Sequence, residues 1–198
     1  MRQLSSSTSK LDTRFVPDAA FRGRIVATII ERRTGPERNL EFLIDLDGGE
    51  ISTSPNAQPF SGSLSPGGNL DYRDCARAVE IRAPGDELAA YCMVKDSRYS
   101  VGVRNLKSGV QAREWSASKG WRVSGLIWSA DSKSIAVLSA KERMDFGLVG
   151  LLSAASGHPI PLITFEVTLL CAQTGHELKL PVIREDSPSG WARLDWIQ

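Results

Sequence analysis

Apolar and polar residues alternate with a period of two through much of the chain. Leu40, Phe42, Ile44 and Leu46 interleave with Glu41, Leu43, Asp45 and Asp47, and Tyr99, Val101 and Val103 with Ser100, Gly102 and Arg104. Phe165, Val167 and Leu169 interleave with Glu166 and Thr168. Successive side chains of a strand point to opposite faces, so each run predicts a strand with one apolar face. Arg24–Glu31, Ala78–Arg82 and Ser134–Ser139 add three β-rich runs. Turn signals fall between them: Thr34-Gly35-Pro36, Asp47-Gly48-Gly49, Pro84-Gly85-Asp86, Lys107-Ser108-Gly109, Asp131-Ser132 and Thr174-Gly175. Glycine accepts positive φ, and Asp or Asn can cap a turn, so these are the residues that hairpins require. Two windows have some helical spacing. Asp86–Met93 is short and reads better as a strand. Lys141–Ala155 puts Met144, Leu148 and Leu151 on one face, but Gly147 and Gly150 limit it to a short helix at most.

The pieces repeat. Gly49, Gly109 and Gly175 each close a unit of strand, turn and strand, 60 and 66 residues apart, and Glu50, Val110 and His176 each open a short run leading away. Trp128 and Trp196 mark a second register, 68 residues apart. A similar period in two independent markers is the signature of repeated supersecondary units. Two stretches lengthen the pattern: Ile51–Cys75, rich in Ser, Pro and Gly and read as a long loop, and Ala140–Ile163, which contains an apolar insertion.

Within this frame Ile127-Trp128-Ser129-Ala130-Asp131-Ser132-Lys133-Ser134-Ile135-Ala136-Val137 resembles the W-S-P-D-G-K-x-I-A-F segment of WD-repeat and TolB-type β-propeller blades. The outer-strand pattern of those families, x-V-x-D-x-x-T-G, is similar to Val167–Gly175 and Val101–Gly109, and Val79–Ala89 is a weaker copy of the first segment. The resemblance covers residues 24–50 loosely and 78–198 better. It departs where Ser132 replaces the Gly, where the outer-strand Asp falls at Arg104 and Ala172 or a neighbour, and in lacking Gly-His and Trp-Asp pairs. The implied fold is all-β, a propeller-like array of about three antiparallel blades, with a β-sandwich as the alternative. Propellers close with about 4 to 8 blades. The last strand, Ala192–Gln198, is expected to complete the sheet begun by Arg24–Glu31 and Leu40–Leu46. An open array, a homo-oligomeric ring and descent from a larger propeller all fit three blades. Unclosed edges template further pairing, which favours self-association.

Composition narrows the class. The chain has 198 residues, 41% hydrophobic and 24% charged, with Lys+Arg 24 against Asp+Glu 23. That balance places it among globular chains and argues against a strongly basic nucleic-acid binder. The first forty residues hold eight Arg or Lys against four acids, which reads as a solvated face. Residues 1–20, rich in Ser and Thr, are expected to form a flexible arm and residues 21–198 the propeller-like domain. The arm contains no apolar signal-peptide core. Phe146–Phe165 lacks charges, but Ser153, Ser156, His158, Pro159 and Pro161 make it unfit as a membrane span. Three cysteines, Cys75, Cys92 and Cys171, form no C-x-x-C pair. Cys92 and Cys171 lie in apolar runs and are expected as free core thiols, so the expected location is a reducing, cytoplasmic one.

Candidate chemistry is sparse. His158 and His176 both follow turn residues, without a nucleophile elbow beside them. Asp45–Glu50 begins like a calcium loop but lacks the remaining oxygen ligands, and reads as a hairpin turn. Neither a phosphate loop nor a dinucleotide fingerprint is present. The sequence thus predicts no catalytic residue, no cofactor and no metal. The residues that stand out are apolar: Phe146, Leu148 and Leu151 in the insertion, and Trp115, Trp121 and Trp191 beside turns. They either pack between blades or anchor a partner. The reading is a non-catalytic protein-interaction or scaffold module with an unidentified protein partner, possible homo-oligomerisation, no nucleic acid and no membrane span. The alternative is a propeller-type hydrolase or lyase using Asp186 and Asp195.

Overall fold

A computed structural model describes residues 13–31, 38–53, 80–144, 151, 155, 161–187 and 190–197. The described residues form three antiparallel sheets. The first runs β1 (Thr13–Arg14), β4 (Glu50–Thr53), β3 (Arg38–Asp45), β2 (Arg24–Glu31) and β14 (Gly190–Ile197). The second runs β5 (Glu80–Arg82), β6 (Leu88–Lys95), β7 (Arg98–Asn105) and β8 (Gln111–Ser116). The third runs β12 (Glu177–Lys179), β11 (Pro161–Cys171), β10 (Ser134–Met144) and β9 (Trp121–Trp128), with β13 (Arg184–Ser187) also paired to β11. This is an all-β, propeller-like array: the second and third sheets are four-stranded meanders, the third with β13 added, and the first is the meander β2–β3–β4 flanked by β1 and β14.

The third sheet lies between the other two, and strand alternation is what lets it serve both. On β10, Ala136 and Leu138 join the apolar cluster shared with the first sheet, while Ile135 and Val137 join the one shared with the second. On β9, Ile127 goes one way and Leu126 and Trp128 the other. A strand covered on both faces carries an almost unbroken apolar run, and residues 134–139 are all buried. The Trp128 indole N–H also donates to the Ile81 carbonyl at 3.1 Å, tying the third sheet to the second. The same buried side holds Glu166, whose carboxylate meets Lys179 at 3.0 Å, and the hydroxyls of Ser139 and Thr168, which find no partner.

The expected clasp forms. β14 pairs with β2 from Gly190 opposite Glu31 to Ile197 opposite Arg24, so the end of the chain supplies the missing strand of the first sheet. Trp196 there packs on the core shared with the third sheet, facing the preceding sheet in chain order as Trp128 does.

Three hairpins share one design and settle the register that the sequence left open. Asp45 Oδ1 accepts the N–H groups of Asp47 and Gly48 at 3.1 and 3.0 Å; Asn105 Oδ1 accepts those of Lys107 and Ser108 at 2.9 and 3.0 Å. Gly49, Gly109 and Gly175 donate to the carbonyls of Asp45, Asn105 and Cys171, with φ of 66, 69 and 72°. The outer-strand Asp position is therefore held by the neighbours of Arg104 and Ala172, namely Asn105 and Cys171.

The cysteines also differ from expectation. Cys92 is fully buried as expected, yet disulfide-bonded rather than free. Cys171 is the free thiol, half-buried at the end of β11 and packed against the core between the first and third sheets. Burial pushes its pKa up, but hydrogen bonds from the Thr174 side chain and from the backbone at residues 174 and 173 outweigh this and lower it. The disulfide removes the argument from free thiols to a reducing compartment. In the window Lys141–Ala155, residues 141–144 belong to β10; Cys75 and most of Ile51–Cys75 lie outside the described residues. Among the described residues no helix is long and apolar enough to cross a membrane.

Candidate functional site

A cleft of about 600 Å3 opens where the first and third sheets end side by side. One wall is the segment leading into β2. Asp18 fixes its course: Oδ1 accepts the Ala20 N–H at 2.9 Å, and Oδ2 lies 2.6 Å from His176 Nε2 on the third sheet. Phe21, almost fully buried, stacks on the His176 ring with centroids 5.8 Å apart. The Ala20 N–H, and after it the His176 side chain, hold the Asp18 carboxyl below its ordinary pKa. Next along the wall, Arg22 donates to Asp47 at 3.1 Å and the Gly23 N–H donates to the same carboxylate at 3.1 Å. Gly23 first and Arg22 second lower the Asp47 pKa.

The opposite wall is the tight turn between β9 and β10. The Ser129 hydroxyl donates to Asp131 at 2.6 Å and accepts the Ser134 N–H at 2.9 Å; the Lys133 N–H donates to Asp131 at 3.1 Å. Burial raises the Asp131 pKa, but the Ser129 hydroxyl and the Lys133 N–H more than offset it, so the carboxyl titrates below its ordinary value. Lys133 Nζ stands 3.7 Å from the same carboxylate. Ser132 takes φ 60°, where the propeller pattern has Gly, and its hydroxyl accepts the Gly85 N–H from the second sheet at 2.9 Å. Trp196 and Ile197 of β14 line the cleft between the walls.

The cleft thus offers two cationic side chains, Arg22 and Lys133, one ionised carboxylate, Asp131, and the indole of Trp196. Each charged group already has an intramolecular partner, and the Ser129 proton is engaged by Asp131. An ionised carboxylate accepts hydrogen bonds but has no proton to give, so Asp131 cannot serve as a general acid. Among the described residues no group of three or more His, Cys, Asp or Glu could hold a metal ion.

The interaction candidates named from the sequence are spread across all three sheets. Trp115 on β8 packs half-buried against the core between the second and third sheets. Trp121 begins β9 and has Lys179 Nζ 5.6 Å from its ring centroid. Trp191 lies on β14 opposite Ile30. Leu151 is 56% exposed, while Phe146 and Leu148 lie outside the described residues. Asp195 is bound by Arg193 at 2.8 Å on β14, and Asp186 is on β13 in a different sheet. Of the cleft residues, Trp196 and Asp131 carried a sequence signal as register marker and turn former. Lys133 stands in the blade-like segment and Arg22 among the basic residues near the start, but nothing local shows that a segment near residue 20 meets a turn near residue 131.

No protein-family profile matches the chain, and no curated protein is similar to it in sequence. Several solved structures are similar to it at low identity. TolB from Acinetobacter baumannii shares 17% identity over 80% of this chain and 30% of its own, with a TM-score of 0.31. An acylaminoacyl peptidase shares 12% over 86% and 25%, at 0.33. The β-propeller domain of the Trilobed protease from Pyrococcus furiosus shares 10% over 81% and 55%, at 0.24. The chain spans between a quarter and about half the length of these three.

Proposed function

We propose that the chain is a non-catalytic protein-binding module of propeller type, and that the cleft between the first and third sheets receives an extended segment of a partner. The observation that carries this reading is the state of the cleft's charged groups. Asp131 is held ionised by Ser129 and Lys133, and Arg22 is held by Asp47. These groups are preorganised, so a ligand meets fixed donors and acceptors without the cost of ordering them. Trp196 adds an aromatic surface of the kind that anchors peptide side chains.

Selection of binding peptides from a displayed random library tests the proposal. Binders should lose at least tenfold in affinity against Lys133→Glu, whose side chain is exposed and outside the core. Binders that are indifferent to Lys133→Glu and to Arg22→Glu would place recognition elsewhere.

A further inference from the structure

Each outer sheet of the array packs on the third sheet by one face only; the far faces of the first and second sheets belong to neither apolar cluster. Strand register identifies what those faces carry. On the first sheet, Glu41, Asp45, Glu50 and Asp195 share the far face with Arg14, Arg24 and Arg193. Carboxylates are in excess there, four against three. On the second sheet, Arg82, Lys95, Arg98 and Arg104 share the far face with Glu80 and Glu114, so cations are in excess, four against two. Each face also has an apolar centre on its two middle strands. Val26 and Leu43 are cross-strand partners on one, and both are half-buried. On the other, Tyr91 lies over Gly102, so close that a Cβ there would overlap its ring, with Met93 beside it.

We propose that two copies of this chain join head to tail, the far face of the first sheet of one on the far face of the second sheet of the other. Two such contacts related by a two-fold axis close a ring, so no face of either kind is left to recruit a third copy. The ring would contain six sheets, within the range of about 4 to 8 that propellers close with. The area suffices. A residue in a sheet covers about 16 Å2 of face, from a spacing of about 3.4 by 4.8 Å. The strands of each outer sheet then present about 400 Å2, and two contacts hide about 1,600 Å2 in all, the size of a standard stable interface. Opposite surplus charge steers the unlike faces together and disfavours like-with-like contacts. This inference is independent of the cleft and of what binds there.

Sedimentation equilibrium of the chain and its charge-reversed variants tests it. At about 50 mM salt the protein should have twice the 21.6 kDa mass of the chain, and the dimer should weaken at least tenfold at about 500 mM salt as the charges are screened. Glu41→Lys with Glu50→Lys turns the first face cationic; Arg82→Glu with Arg98→Glu turns the second acidic. Each double variant alone should be monomeric, and an equimolar mixture should recover the dimer, because every contact in the mixed ring again joins unlike charges. A variant that had merely lost its fold could not be rescued by mixing. A wild-type monomer at about 100 μM and low salt overturns the proposal, as do variants that remain dimeric alone or a mixture that remains monomeric.

Discussion

At the scale of single residues, the hairpins rest on a side chain that accepts two backbone N–H groups and a glycine that takes positive φ. The second role is sharply graded by context. A Cβ at Gly109 would meet nothing within 4 Å, whereas at Gly49 it would lie 2.4 Å from the Phe15 carbonyl and 2.8 Å from Pro17. Gly109→Ala should therefore cost only the left-handed backbone strain, about 1 kcal/mol. Gly49→Ala adds a steric clash that displaces β1 and the segment after it, for a total of roughly 2–4 kcal/mol. Urea denaturation of the two variants checks the order; equal losses would show that the Phe15 segment contributes nothing. The glycines were legible in the sequence because φ > 0 leaves a single-letter mark. The acceptor was less so: a thiol at residue 171 does not look like the Asp45 and Asn105 that occupy the same place, so the sequence left the register open by one position.

At the scale of elements, strands and their turns were readable wherever alternation was clean. β2 has the bounds expected, and the short runs opened by Glu50, Val110 and His176 lead into β4, β8 and β12. β10 and β11 run to eleven residues, longer than their sequence runs suggest, since a partner strand continues to pair beyond the apolar stretch. β1 and β13 have no pattern of their own and exist because an edge was there to pair with. The segment from Phe15 to Gly23 is held by discrete bonds, chief among them Asp18 to Ala20 and His176. Since the Asp18 carboxyl is held below its ordinary pKa, its contribution is present at neutral pH and is lost as pH falls through the folded-state value. Asp18→Asn should lower Tm at pH 7, and the gap from wild type should close as pH falls below the ordinary carboxylate range of about 4. A gap of constant size over that fall would mean that the charge on Asp18 plays no part.

At the scale of the whole molecule, the third sheet is the one element that both apolar clusters share, so opening it costs both. Backbone amides of β10 next to β9 and β11 should exchange with solvent most slowly, near the rate set by global unfolding, and those of β8 and β12 fastest. Hydrogen exchange read by NMR decides this; protection highest in the second sheet would mean that the array does not hinge on its centre. The division of labour between sequence and tertiary structure follows from range. Period-two alternation, the turn residues and the repeated unit are set by neighbours a few positions apart, so the chain alone determined that it forms antiparallel meanders. It could not determine which sheet lies inside. Ile127 and Trp128 are adjacent in the sequence yet enter different cores, and Arg22 meets Lys133 across a cleft that exists only once β14 has paired with β2. The clasp and the cleft depend on contacts more than a hundred residues apart, and burial on two faces on packing between separate sheets, and only the packed structure decides those.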